Sequence, residues 1–228
     1  DIGSHGLRIL SPTILELTLI STKAKDPARV SAWDFVNDQF VANLPAPSAF
    51  ALTVDGAAVA VQSVGFKRRP LHAPEAPGGL RIGNHLYLKV ASAVPTGGVV
   101  EVKNPSGAYW ASSMKFSNWA SFDRHSPALH VNQVGYMPDY PKKAMVGYYL
   151  GSLGEMPIPA STFSIINAST GEIIFSGALV RRPDSGFVYS PPPYQQVFEA
   201  DFSAVRTPGE YRLLVPKLGV SFPFFIEP

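Results

Sequence analysis

Along most of this chain an apolar residue stands at every second position, and clusters of Gly, Pro, Asn and Asp cut the alternation into short runs. A side-chain period of two belongs to a strand with one face buried, whereas an amphipathic helix needs a period near 3.6. Ile14-Leu15-Glu16-Leu17-Thr18-Leu19-Ile20 predicts a first strand. Phe50 to Val54 runs into Asp55-Gly56, the dipeptide of a two-residue hairpin turn, and the chain returns as Val59 to Val64. Leu86 to Val90 and Val99 to Val102 complete a first series. A second series follows at Lys143–Tyr149, Thr162–Ile166, Glu172–Phe175, Gln196–Phe202, Gly209–Val215 and Val220–Ile226. Asp26-Pro27 departs from the pattern and predicts either a short helix or an ordered loop over Pro27–Asp38.

Two strand series in 228 residues predict an all-β chain of two tandem immunoglobulin-like β-sandwich domains, each of about 100 residues. Residues 1–6 read as a tag or a disordered start, 7–126 as the first sandwich with an aromatic-rich linker, and 127–228 as the second. Its core is expected to include Val134, Val146, Phe163, Ile165, Ile174, Phe198, Tyr211, Leu213 and Phe224. Hydrophobic residues make up 46% of the chain, enough for two cores.

Charge narrows the choice of partners. The formal net charge is only +2, and the densest basic cluster, Lys67-Arg68-Arg69, is too short to track a phosphate backbone. Nucleic acid is therefore not expected as a partner. No apolar run is long enough to cross a bilayer as a helix, so no membrane partner is expected. The absence of cysteine removes thiolate chemistry.

No residue pattern nominates a catalytic group. The histidines show no metal-ligand spacing on one periodic segment, so no metal and no cofactor is expected. Glycoside hydrolysis needs two carboxyl groups across a cleft. The acids here flank turns (Asp55, Asp139, Glu172, Asp184) or are read as facing outward from strands (Glu16, Glu101, Glu210). Aromatic residues are the other candidates. Tyr109, Trp110, Phe116, Trp119 and Phe122 cluster between the two series, and Phe187, Tyr189 and Tyr194 surround three consecutive prolines. They fit two roles: packing between domains or in loops, or rings on which sugars stack.

From His130 onward, HVNQVGYMPDYPKKAMV, FSIINASTGEIIFSGAL, EADFSAVRTPGEYRLLV and GVSFPFFI occur in order. Together they resemble the immunoglobulin-like domain that precedes the catalytic barrel in family-nine glycoside hydrolases of endoglucanase type, over about residues 129–226. The resemblance implies a secreted or periplasmic monomer whose partner is a glycoside hydrolase catalytic domain, with a polysaccharide as a second partner. It also implies that the barrel and its catalytic Asp pair and Glu are absent here, so that this chain is not itself an enzyme and has no catalytic residue. The accessory role competes with that of a carbohydrate-binding module for a plant-type β-glucan. Asn132, Gln133, Gly135 and Tyr136 carry most of the likeness. Asn132 and Gln133 are expected to bond loop backbone, Gly135 to take a positive φ, and Tyr136 to pack; the rival reading is a sugar site.

Overall fold

The computed structural model describes residues 3–22, 33, 35, 41, 43–72, 81–182 and 196–228. The helix or loop expected over Pro27–Asp38 lies almost wholly outside them, as do Phe187, Tyr189 and Tyr194. Among the described residues strands dominate, and the only helical pieces are two 3-10 turns. The chain divides into two compact units, Asp1–Ala120 with Leu150–Gly154, and Ser121–Tyr149 with Glu155–Pro228.

The first unit has two four-stranded antiparallel sheets. One runs β1 (His5–Ser11), β2 (Ile14–Thr22), β6 (Arg81–Val90), β5 (Val61–His72); the other runs β4 (Ala57–Val59), β3 (Ala51–Val54), β7 (Val99–Lys103), β8 (Phe116–Trp119). Strand β1 thus starts at His5, inside the hexapeptide read as a tag-like start. Asp55 and Gly56 both have positive φ and close the β3–β4 hairpin. The run expected as one strand over Val59–Val64 is split at Ala60, because the chain leaves one sheet there and enters the other.

Leu7, Leu17, Leu86 and Phe66 are in register across the first sheet, and Leu52, Val102 and Phe116 across the second; all are buried. The presumed linker supplies core. Trp110 packs against Phe116 (ring centroids 4.7 Å), Phe50 (6.0 Å) and Trp33 (6.0 Å). Buried Asn104 fixes this segment, accepting from the Tyr109 N–H (3.0 Å) and donating to the Trp110 carbonyl (3.1 Å). Within the same unit, Ser152 Oγ accepts the Phe66 N–H on β5 (2.9 Å).

Glu16 is not an outward-facing strand acid: it is fully buried. Its carboxylate lies 3.0 Å from His85 Nδ1 and 3.5 Å from Arg8 Nη1. Alternation correctly sets it opposite Leu15 and Leu17, but that face is covered too, as Ile14 and the register partner Tyr87 show. Cationic and polar partners make a buried carboxylate tolerable there.

The second unit follows the path β15 (Gly219–Val220), β14 (Gly209–Val215), β11 (Thr162–Asn167), β12 (Ile173–Arg181), β13 (Phe198–Asp201), β10 (Lys143–Val146), β9 (Leu129–His130), with β16 (Phe224–Ile226) also on β14. Strand β12 pairs with β11 as far as Ala178 and with β13 from Leu179, so one strand serves both halves of the sandwich. Val146, Phe163, Ile165, Tyr211, Leu213 and Phe224 are buried as expected.

Three expected core residues are not. Val134 is 91% exposed, in a loop. Ile174 is exposed because Ile165 pairs with Phe175 and Ile166 with Ile173, leaving Ile174 as the extra residue of a bulge. Phe198 begins a strand and is only half-buried.

Candidate interaction surface on the second unit

Asn132 organises the loop that follows β9. Its Oδ1 accepts the Val134 N–H (3.0 Å), its Nδ2 donates to the Gly135 carbonyl (2.8 Å), and its own N–H donates to Tyr136 Oη (2.9 Å). Gly135 has φ 110°, and a Cβ there would lie 3.1 Å from the Phe225 carbonyl oxygen. Both the backbone conformation and the close approach therefore select glycine. Tyr136 spans the loop and the sheet. Its hydroxyl donates to the Lys143 carbonyl (3.0 Å), its ring packs on Phe202 (5.0 Å) and Phe224 (5.3 Å), and its N–H bonds the Phe225 carbonyl (2.9 Å). Burial raises the Tyr136 pKa above its usual value, against the Asn132 N–H, which lowers it. Gln133, expected to share this work, is exposed and makes no hydrogen bond.

The next part of the loop is held from inside. Lys142 is fully buried, and its ammonium donates to the carbonyls of Pro138 (2.6 Å), Tyr140 (2.8 Å) and Met137 (3.3 Å). Burial lowers its pKa; Arg206 adds to this, while Asp139 and Asp201 oppose it. Sequence reading missed this residue, although Lys142 is in phase with buried Ala144 and Val146. Its main chain is tied to the Asp201-Phe202-Ser203 turn through Lys142 N–H to Ser203 Oγ (2.9 Å) and Phe202 N–H to Lys142 O (3.0 Å). Asp201 Oδ1 accepts from the Ser203 hydroxyl and amide, which hold its carboxyl below the usual range. Tyr211 makes a corner contact, its Oη donating to the Thr207 carbonyl (3.0 Å).

On this frame sit four exposed apolar side chains: Val134, Met137, Tyr140 and, beside Gly135, Phe225. A loop so heavily hydrogen-bonded offers a preformed apolar surface rather than a pliable one. Asn132→Ala is expected to cost about 1 kcal/mol in stability and Gln133→Ala close to nothing. Chemical denaturation of the two variants tests this; equal losses would contradict the bonding pattern.

The aromatic candidates of the first unit part company. Tyr109 is half-buried and Trp110 is 2% exposed, whereas Trp119 is 58% exposed. Tyr189 and Tyr194 lie outside the described residues. Among the described residues no group of three or more His, Asp or Glu is placed to hold a metal ion, and no helix is long and apolar enough to cross a membrane.

Comparison with known proteins gives a match for residues 124–220, to the family described as the cellulase N-terminal ig-like domain. Endoglucanase D of Acetivibrio thermocellus is 26% identical over 141 residues, 62% of this chain and 17% of that protein. Among solved structures, a metagenome-derived glycoside hydrolase family 9 endoglucanase is 29% identical over 43% of this chain and 17% of its own, with a TM-score of 0.36. A GH9 protein of Bacteroides ovatus is 30% identical over 44% and 15%, with a TM-score of 0.33. The chain thus spans less than a fifth of the length of each of these relatives.

Proposed function

We propose that this chain, whose residues 124–220 match the cellulase N-terminal ig-like family, is a non-catalytic accessory region of an exported, monomeric glycoside hydrolase. Its second unit docks on a catalytic domain in the intact protein and stabilises it. The observation that carries the reading is the group of exposed apolar side chains Val134, Met137 and Tyr140 on a hydrogen-bonded loop, with Phe225 on β16 beside it. Exposed apolar side chains grouped on a fixed scaffold mark a surface that is covered by a partner. Residues that carry the sequence likeness serve the scaffold. Asn132, Gly135 and Tyr136 set the loop, Asp201 and Ser203 set a turn, and Tyr211 braces a corner.

The name of the relative Endoglucanase D favours a polysaccharide substrate for the attached domain. The test is the double substitution Val134→Ser, Met137→Ser in the intact protein. The melting of the catalytic domain is expected to fall by several degrees, while the melting of this chain alone does not change. An unaltered catalytic transition would refute docking through this loop. Turnover of soluble cellulose by the purified chain, abolished by a single carboxylate substitution, would refute the non-catalytic role.

A further inference from the structure

We propose that the first unit carries a stacking site for a neutral pyranose chain on the outer face of the β4-β3-β7-β8 sheet, with Trp119 as its platform. The argument begins with register. Leu52, Val54, Val100, Val102 and Phe116 are buried, so the alternate positions face away from the core. Those positions pair as Val99 with Trp119, Thr53 with Glu101 and Glu101 with Ser117. They form two neighbouring rows, one apolar and one of hydroxyl and carboxylate groups, about 7 Å apart along the strands.

Trp119 is 58% exposed and Val99 beside it 50% exposed, and the indole makes no ring contact of its own. Its backbone is nevertheless fixed. Asn118 Oδ1 accepts the Trp119 N–H (2.9 Å) while Asn118 Nδ2 donates to the Leu7 carbonyl on β1 (2.7 Å). Ala120 and Gly97 close the strand with Ala120 N–H to Gly98 O (2.8 Å) and Gly97 N–H to Ala120 O (2.7 Å). A large exposed ring carried on a backbone fixed in this way offers a flat apolar surface to a ligand.

The surroundings select the ligand class. A stable protein interface buries on the order of 1,200–2,000 Å², and here one ring and one valine adjoin hydroxyl, carboxylate and ammonium groups. Glu101 is paired with Lys103 at 3.2 Å, so the polar row has no uncompensated charge to attract an ion. A pyranose chain fits both rows, one ring over the first and its neighbours over the second. The C–H face of one ring lies on the indole, and the hydroxyls of that ring and the next reach Glu101, Ser117 and Thr53.

That the glucan is of the cellulose type rests on the proposed function; that the ligand is a pyranose chain does not. The test titrates the whole chain with cellohexaose and, separately, with maltohexaose by calorimetry. Trp119→Ala is expected to weaken binding at least about tenfold, and Trp119→Phe to retain most of it. The unfolding midpoint of both variants should match that of the parent, since the side chain is exposed. Binding of maltohexaose alone, lost in Trp119→Ala, supports the site and counts against a cellulose-type parent. Failure of the parent to bind either sugar, or binding indifferent to Trp119→Ala, overturns the proposal. So does a parent that binds neither sugar but self-associates through Trp119.

Discussion

Replacing Lys142 with methionine is expected to destabilise the second unit by about 3 kcal/mol, although lysine is ordinarily the most replaceable of surface residues. The methionine fills much of the same volume but cannot donate. The carbonyls of Pro138 and Tyr140 would then lose a charged donor, and a hydrogen bond of that kind contributes roughly 1.5–3 kcal/mol. For a unit of this size the loss corresponds to a fall in Tm of more than about 10 °C. Lys143→Met supplies the control. Lys143 reaches outward to Glu199 at 3.0 Å, and an exposed pair of that kind contributes about 0–1 kcal/mol. Differential scanning calorimetry of the two single variants decides the matter: equal transitions would show that the carbonyl cage does not hold the loop. Because that loop displays Val134 and Met137, Lys142→Met should also loosen docking of a catalytic domain.

Trp110→Ala should cost about 3–5 kcal/mol in the first unit, the usual range for deleting a buried aromatic side chain. Trp119→Ala should stay within about half a kilocalorie. The first removes a ring against Trp33, Phe50 and Phe116; the second removes an indole that touches no other ring. Tryptophan fluorescence during urea unfolding distinguishes them, and a Trp110→Ala loss under about 1 kcal/mol would place the core of this unit elsewhere. The contrast matters functionally. Of the tryptophans considered as sugar contacts, only the exposed one is available for stacking.

Local pattern alone determined much of this protein. Period-two alternation and the Asp55-Gly56 turn specify strands and a hairpin, because each depends on side-chain direction and backbone freedom within a few residues. The inward set Phe163, Ile165, Tyr211 and Leu213 follows for the same reason, as does the glycine at position 135. The ordered motifs from His130 onward carried the likeness to the cellulase N-terminal ig-like family, which residues 124–220 match.

What remained illegible depends on which segments meet. Alternation assigns a residue to a face without saying whether that face is covered, so Glu16 was placed on the correct side and given the wrong exposure. Nothing in a Pro-Gly-Ser-Asn stretch shows that Trp110 and Phe116 fold back into the first core. The bulge that turns Ile174 outward arises from pairing with β11, not from its own neighbours. Lys142 and Lys143 are the same residue side by side; only the loop closing over one of them makes it a buried donor and leaves the other a surface charge.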